Sequence, residues 1–563
     1  MSPPARRAEL LGALIVSFVV GLGSTAQADA DPQVLVSADA AWRWQQVAAE
    51  APPPASWPYA LGDGPEVTVG PQPVVTVAGD LAEPPARCRC AAALARGEAP
   101  VVALRASTSF TLGPDQLAGD ALLELRLELA DGAIAWLNGV ELVRRNLPRT
   151  DDPLAPARRR HGPEPERVVV AVAPGLLHAG ANHLALEVRP ASGRADVRLG
   201  ATLVARRSPA IVVGPLVAEV GRDHATIVVE TDVPTEARVR YGATEALGAE
   251  RTVEGRARRH QLALAGLPIG QPLYYQVVVD GVAGTVHRVA LAPAPGEVVR
   301  IALYGDVRGG HDTHARLVEA IRAEAPDLVL ATGDLVLRGS DLGDWQRFFS
   351  IAGPLLAEVP YHSALGNHDL GRAGDDGRRA EAWFARPPPP PGRPDGAGWF
   401  SVDVADVHVA LLDSNAYGEP AQRAWLDADL AAARARGAQV LLAVTHDGPY
   451  SRGTHRGNRV AARDYAPILA RHRVALLASG HDHLYQRGRV RGLDYVVTGG
   501  GGAPLYKVSC GVPGRRPCAA DDGLRHVESA HHYVMLTVFP DHLELCPRRP
   551  DQSLLEPCTR LAR

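Results

Sequence analysis

Lysine is almost missing from this chain: Lys507 stands alone among 59 basic residues. We read that bias, with the heavy use of Gly, Pro, Ala and Arg, as genomic base composition and draw no function from it. Excess charge is missing too. The 59 basic and 63 acidic residues leave a formal charge of −4, which argues against a general nucleic-acid binder, because phosphate backbones are held by clustered cations. Beyond residue 23 no run is long and apolar enough to cross a bilayer, which takes about 20 residues. A content of 46% hydrophobic and 22% charged residues is that of globular material, neither disordered nor fibrous. At 563 residues the chain outgrows a single core, and three or four domains are expected.

What is present begins with an export-like leader. Arg6 and Arg7 precede an uncharged apolar stretch from Leu10 to Gly23, followed by Ala26-Gln27-Ala28 and Ala28-Asp29-Ala30, both of the A-x-A cleavage form. Residues 1–28 are therefore expected to be a signal peptide. Cutting after Ala28 removes two arginines and Glu9, so the charge moves from −4 to −5. A secreted or periplasmic location follows, with no membrane span left after cleavage. The six cysteines fit an oxidising compartment. Cys510 with Cys518 and Cys546 with Cys558 are short-loop pairs, a Cys88–Cys90 bridge would be strained, and connectivity stays open.

Three segments follow. Residues 31–205 carry turn clusters and short alternating runs such as Leu123-Glu124-Leu125-Arg126-Leu127-Glu128-Leu129, and the hairpin signals Asp131-Gly132 and Asn138-Gly139. With the run Asn182 to Val188, this segment resembles the galactose-binding-like jelly-roll sandwiches of secreted enzymes. The resemblance implies a spacer or a carbohydrate or cell-surface contact. Residues 208–293 are again β-rich, through Ala225 to Glu230, Ala237 to Gly242 and Leu273 to Val279. They resemble a fibronectin type III-like domain of the kind that precedes the catalytic domain of purple acid phosphatases; Tyr274 and Tyr275 are read there as core and face residues. Residues 298–545 alternate apolar strand-like runs with helix-like stretches at Thr313 to Ala325, Ala421 to Arg436 and Ala461 to Arg471, an α/β layered pattern. Residues 546–563 form a tail. The expected fold is two β-sandwiches followed by a four-layer α/β/β/α domain.

Five apolar runs in the third segment end in polar residues able to hold a metal. They lead into Gly305-Asp306-Val307-Arg308, Gly333-Asp334, Gly366-Asn367-His368-Asp369, Thr445-His446 and Gly480-His481-Asp482-His483. Ligand sites in layered α/β folds gather outside the carboxyl ends of strands, and the glycines allow a sharp turn there. Singly each signal is ordinary, since an Asp after a strand is usually a turn or cap residue. The ordered set carries the chemistry.

This set resembles the calcineurin-like metallophosphoesterase pattern, and with the preceding domain it is most similar to the purple acid phosphatase branch. The run Tyr495 to Pro504 is similar to that branch too. The resemblance implies two metal ions, with Asp334 bridging, Asp306 and His483 on the first, and Asn367, His446 and His481 on the second. Carboxylate, amide oxygen and imidazole suit zinc, manganese or iron, divalent or trivalent. It implies hydrolysis of phosphate monoesters by a metal-activated hydroxide. His368 would contact phosphate or protonate the leaving oxygen, with Asp369 orienting it. Arg308 would grip a phosphate oxygen or serve a structural ion pair, and His455 falls at a substrate-side histidine position.

Two positions depart from the family. Leu337 stands where purple acid phosphatases have a tyrosine ligand, so their charge-transfer colour is not expected. Arg308 stands where other metallophosphoesterases have a histidine, so the first metal is short of one protein ligand, to be replaced by water, His311 or His314. Phosphodiester or pyrophosphate hydrolysis at the same metals is the enzymatic alternative, and an inactive surface-binding protein the other. The prolines Pro387 to Pro391 predict a stiff loop.

Overall fold

In this computed structural model the described residues are 33–36, 40–48, 57, 68–70, 75–77, 101–113, 122–129, 131–148, 152, 154–158, 166–172, 174–191, 195–197, 199–206, 209–370, 384, 397–510 and 522–563. The expected leader, Cys88, Cys90, Cys518 and the proline run 387–391 lie outside them. Among the described residues no helix is long and apolar enough to cross a membrane.

The first segment builds a four-stranded and a six-stranded antiparallel sheet. Alternation turns one face of each inward. Leu123, Leu125, Leu127 and Leu129 of the first meet Trp42, Leu104, Ala106, Leu184, Leu186 and Val188 of the second in one core. The hairpin read at Asn138-Gly139 is present, joining Gly132–Leu137 to Val140–Arg145, with Asn138 at φ 49° and Gly139 at φ 81°.

The second segment forms one hydrogen-bonded sheet of five strands. Its centre is the 19-residue strand His224–Gly242, which pairs along both halves with Ala249–Ala265, with register shifts between Glu230 and Ala237, and on its other edge with Ile211–Val220 and then Leu273–Val279. Tyr275 is fully buried among these strands. Its hydroxyl donates to the Ala357 carbonyl at 2.8 Å, tying this segment to the third.

The third segment supplies two sheets. One takes β1 (Val299–Tyr304), β2 (Leu328–Ala331) and β3 (Tyr361–Ser363) in parallel, then three antiparallel strands from the C-terminal region, 533–538, 543–548 and 559–561. The other contains β4 (Phe400–Val404), β5 (Val407–Leu411), β6 (Val440–Val444) and β7 (Leu476–Ser479), of which β5 to β7 run parallel. Ile301, Leu303, Leu328 and Leu330 of the first sheet share a core with Val407, Val409, Leu442 and Val444 of the second. Their opposite faces pack on helices. Ala302, Tyr304 and Val329 meet α1 (His311–Ala323) and α2 (Leu342–Leu356), while Ala410, Leu441 and Ala443 meet α3 (Pro420–Ala435) and α4 (Ala466–Arg471).

The helix α2 has no counterpart in the sequence reading. Gly343, Gly353 and Pro354 lie within its span and weaken its local propensity. Packing restores it: Trp345, Phe348, Ala352 and Leu355 bury their side chains in the sheet-facing core. Of the disulfides, Cys546–Cys558 is formed, and Cys510 is disulfide-bonded.

Candidate metal centre

The five expected ligand motifs all leave carboxyl ends of strands: Asp306 after β1, Asp334 after β2, Asn367 after β3, His446 after β6 and His481 after β7. Because the two sheets pack face to face, three motifs from one rim meet two from the other. Cross-rim hydrogen bonds hold them: the His481 amide donates to the Asp306 carboxylate at 3.0 Å, and His446 Nδ1 donates to the Thr332 carbonyl at 2.9 Å.

The sharp turns are made by the ligand residues themselves. Asp306, Asp334 and His481 adopt φ of 58°, 54° and 68°, a left-handed conformation that costs a non-glycine residue and persists where surrounding structure over-determines it. The glycine beside them mostly supplies room. A Cβ at Gly480 would lie 2.3 Å from Asp306 Oδ2, and one at Gly366 would lie 2.2 Å from Asp334 Oδ1. Gly333 alone of these combines close approach with a positive φ of 94°. The turn at His481 sends its ring toward His446, at 4.9 Å between centroids, while His483 points back to Asp306.

The donor atoms converge on two adjoining points. Asp306, Asp334 and His483 offer ligand atoms all within 4.8 Å of one another. On the other side, His446 Nε2 lies 3.1 Å from Asn367 Oδ1, 3.1 Å from His481 Nδ1 and 3.4 Å from Asp334 Oδ1. Asp306, Asp334, His446 and His483 are buried, His481 is half-buried and Asn367 is exposed.

Tautomers supply the test of whether a metal fits. A carbonyl only accepts, so His446 Nδ1 carries the proton given to Thr332, and neutral His446 turns a bare Nε2 toward the Asn367 oxygen. Two lone pairs facing each other at 3.1 Å are stabilised by a positive charge between them. His483 repeats the pattern, with Nδ1 donating to the Pro504 carbonyl at 2.7 Å and Nε2 left 3.5 Å from Asp306 Oδ1. A metal-ligating histidine characteristically donates its other ring nitrogen in this way. The residues fit a cation.

Burial opposes a charge on His446, but the Asp334 and Asp306 carboxylates favour one and hold its pKa above the ordinary imidazole value, so a bound cation would take the place of a proton on Nε2. Burial likewise opposes a charge on Asp334, but His446, His368 and Arg308 keep that carboxyl below its usual range. Burial pushes Asp306 up, with His483 pulling the other way. His481 is lowered to about 3 by burial, then by His446 and His455, so its imidazole is neutral and able to bind metal.

Other expected site residues fall as follows. Arg308 reaches the site, its Nε donating to Asp334 Oδ2 at 3.0 Å. His368 adjoins it: its backbone amide donates to Asp334 Oδ1 at 3.0 Å and its Nδ1 to the Leu337 carbonyl at 2.8 Å. Asp369 does not orient that ring as expected. It is buried, and its two oxygens accept the amides of Asp334, Leu335, Val336 and Gly366, so it fixes the loops that carry the ligands. His455 is brought in, its ring 3.9 Å from that of His481. His314 is not; it is buried between Tyr304 and Phe348, and burial lowers it to about 3. His311 opens α1. Leu337 is exposed. Tyr506 escaped the sequence reading, since no motif surrounds it; its ring stacks on His483 at 4.0 Å between centroids.

Comparisons with known proteins bear on the fold and the domain family. Residues 299–485 match the model of the calcineurin-like phosphoesterase family, so the chain carries a metallophosphoesterase domain. Residues 208–294 match a model described as a domain of unknown function (DUF7800). The structure of purple acid phosphatase PPD1 from yellow lupin (Lupinus luteus) seeds is similar in fold, with a TM-score of 0.55 at 17% identity over 82% of this chain and 93% of that one. A structure of PhoD gives a TM-score of 0.47 at 12% identity over 62% and 89%. A symmetrical bis(5'-nucleosyl)-tetraphosphatase of Methylococcus capsulatus is 45% identical over 73 residues, 12% of this chain, which spans about a quarter (24%) of that relative's length.

Proposed function

We propose that this chain is an exported, metal-dependent hydrolase of phosphate monoesters. The observation that carries the reading is the pair of adjoining donor clusters at the rim, with bare imidazole nitrogens turned toward carboxylate and amide oxygens. Asp306, Asp334 and His483 would hold one ion, and Asp334, Asn367, His446 and His481 the other; zinc, manganese and iron all suit this donor set. When bound, such cations polarise phosphoryl oxygens and bring the pKa of water toward neutrality.

The chain's own groups do the rest. His368, held through Nδ1, has Nε2 left to contact phosphate and to carry a proton for the departing oxygen. His455, beside His481, and Arg308, beside Asp334, contact phosphate, Arg308 through its planar guanidinium. Export is inferred from the leader-like sequence and accords with the Cys546–Cys558 bridge. We also propose the helix–sheet–sheet–helix layering for residues 298–545, on the strength of the three cores above, and the jelly-roll and fibronectin-like types for the two earlier segments.

Replacing Asp334 with alanine tests the function. Bound metal and turnover of p-nitrophenyl phosphate should both vanish while the N-terminal sheets stay folded; an active variant would contradict the assignment. His368→Ala should keep its metal and lose about 10²–10⁴ in turnover.

Pyrophosphate hydrolysis at the same metals is the second reading, favoured by the 73-residue likeness to a bis(5'-nucleosyl)-tetraphosphatase. Relative kcat/KM on p-nitrophenyl phosphate and a dinucleoside polyphosphate separates the two.

A further inference from the structure

We propose that Arg308 stands as a resident cation over the first half of the metal centre, so that the two ions bind in unequal steps. One ion is held tightly by Asp334, Asn367, His446 and His481, and the Asp306–Asp334–His483 half takes its ion only against a guanidinium. This rests on the metal-dependent reading above and deepens it.

The two oxygens of Asp334 are divided between the halves. Oδ1 accepts the His368 amide and lies 3.4 Å from His446 Nε2. Oδ2 accepts Arg308 Nε at 3.0 Å. The same guanidinium brings Nη2 to 3.5 Å from His483 Nε2, the nitrogen whose lone pair faces Asp306 Oδ1 at 3.5 Å. Arg308 therefore touches two of the three residues that make up the first cluster. Its side chain is only 15% exposed, so water screens its charge incompletely.

An arginine does not deprotonate to make way for a metal ion, as lysine or histidine can. A cation entering beside it meets like charge at short range and competes for Asp334 Oδ2. Among the described residues no guanidinium is hydrogen-bonded to Asn367, His446 or His481, whose bonds run to one another, to the Thr332 carbonyl and to the Asp306 carboxylate. A guanidinium at this spot also supplies positive charge to phosphoryl oxygens before the weaker ion arrives, through a planar fork suited to them.

Calorimetric titration of the chelator-stripped full chain with Zn²⁺ reads the two steps directly. The wild type should show two classes of site at least about tenfold apart, the order expected for a like charge a few ångströms away under solvent screening. Arg308→Gln and Arg308→His should each tighten the weak step by about tenfold or more and leave the tight one in place, and His446→Ala should remove the tight class. Two equal sites in the wild type, or no tightening in Arg308→Gln, would overturn the proposal. Tightening only in Arg308→His would also overturn it, since an added ligand and not a removed charge would be responsible. Failure of the wild type to bind any ion would defeat the metal-dependent reading itself, a result distinct from two equal sites.

Discussion

Asp369 accepts the backbone amide of Asp334 at 2.9 Å, so a buried carboxylate outside the proposed ligand set fixes the backbone of the residue proposed to bridge both metals. With three further amides from Leu335, Val336 and Gly366, it clamps two ligand loops together. Asp369→Ala strips four buried N–H groups of their acceptor. We expect metal affinity to fall about 10–100-fold, as for other lost supports of ligands, and the melting temperature to drop with it. Metal titration beside thermal unfolding checks this; unchanged affinity would mean that the loops hold without the clamp.

Gly480→Ala should damage the site without damaging the fold. Its Cβ would lie 2.3 Å from Asp306 Oδ2 and 2.6 Å from Thr332 Oγ1, inside van der Waals contact, so the carboxylate must move. Gly418→Ala is the control, since nothing lies within 4 Å of the added carbon. Far-UV circular dichroism should be native for both, with metal content and turnover lost only in the first.

His408 gives stability a pH dependence remote from the metal centre. It is buried on β5, bonded to Asp403 of β4 at 2.6 Å and to Asp429 of α3 at 2.9 Å. Burial lowers its pKa, but the two aspartates outweigh burial and raise it to about 9 from 6.5. A raised histidine pKa stabilises the fold fully below the unfolded value and loses that contribution as pH climbs through the folded one. Unfolding midpoints in urea should therefore decline between pH 6.5 and pH 9, and His408→Asn should flatten that decline. An equal slope in both proteins would contradict the assignment.

Leu337 predicts a colour by omission. It stands where the purple acid phosphatase resemblance calls for a tyrosine, and its side chain is exposed while its carbonyl holds His368. Iron-loaded protein should lack a phenolate charge-transfer band in the visible region. A strong band would show that another tyrosine has taken the ligand's place.

The candidate donor set was legible because its members lie within four residues of a strand's carboxyl end, so their positions depend on local sequence that motif reading can see. The expected helix Ala421 to Arg436 matches α3 within a residue at either end. What escaped depends on contacts between distant segments. Helix α2 contains Pro354 and two glycines, and exists through the packing of Trp345 and Phe348. Asp369 was visible as part of Gly-Asn-His-Asp, but its partners at 334–336 lie some thirty residues away. Tyr506 reaches His483 by ring stacking, which leaves no signature in spacing. Arg308 was read as a phosphate grip or a structural ion pair at the position of an absent ligand, and the geometry adds its partners, Asp334 through Nε and His483 through Nη2.

Anomalous diffraction at the zinc edge from crystals of the zinc-loaded protein tests the central claim most directly. The account predicts a full-strength peak bounded by Asp334, Asn367, His446 and His481, with a second, weaker peak beside Asp306 and His483. Zinc found only elsewhere on the protein, with His446 Nε2 and Asn367 Oδ1 still facing each other across no ion, would contradict it.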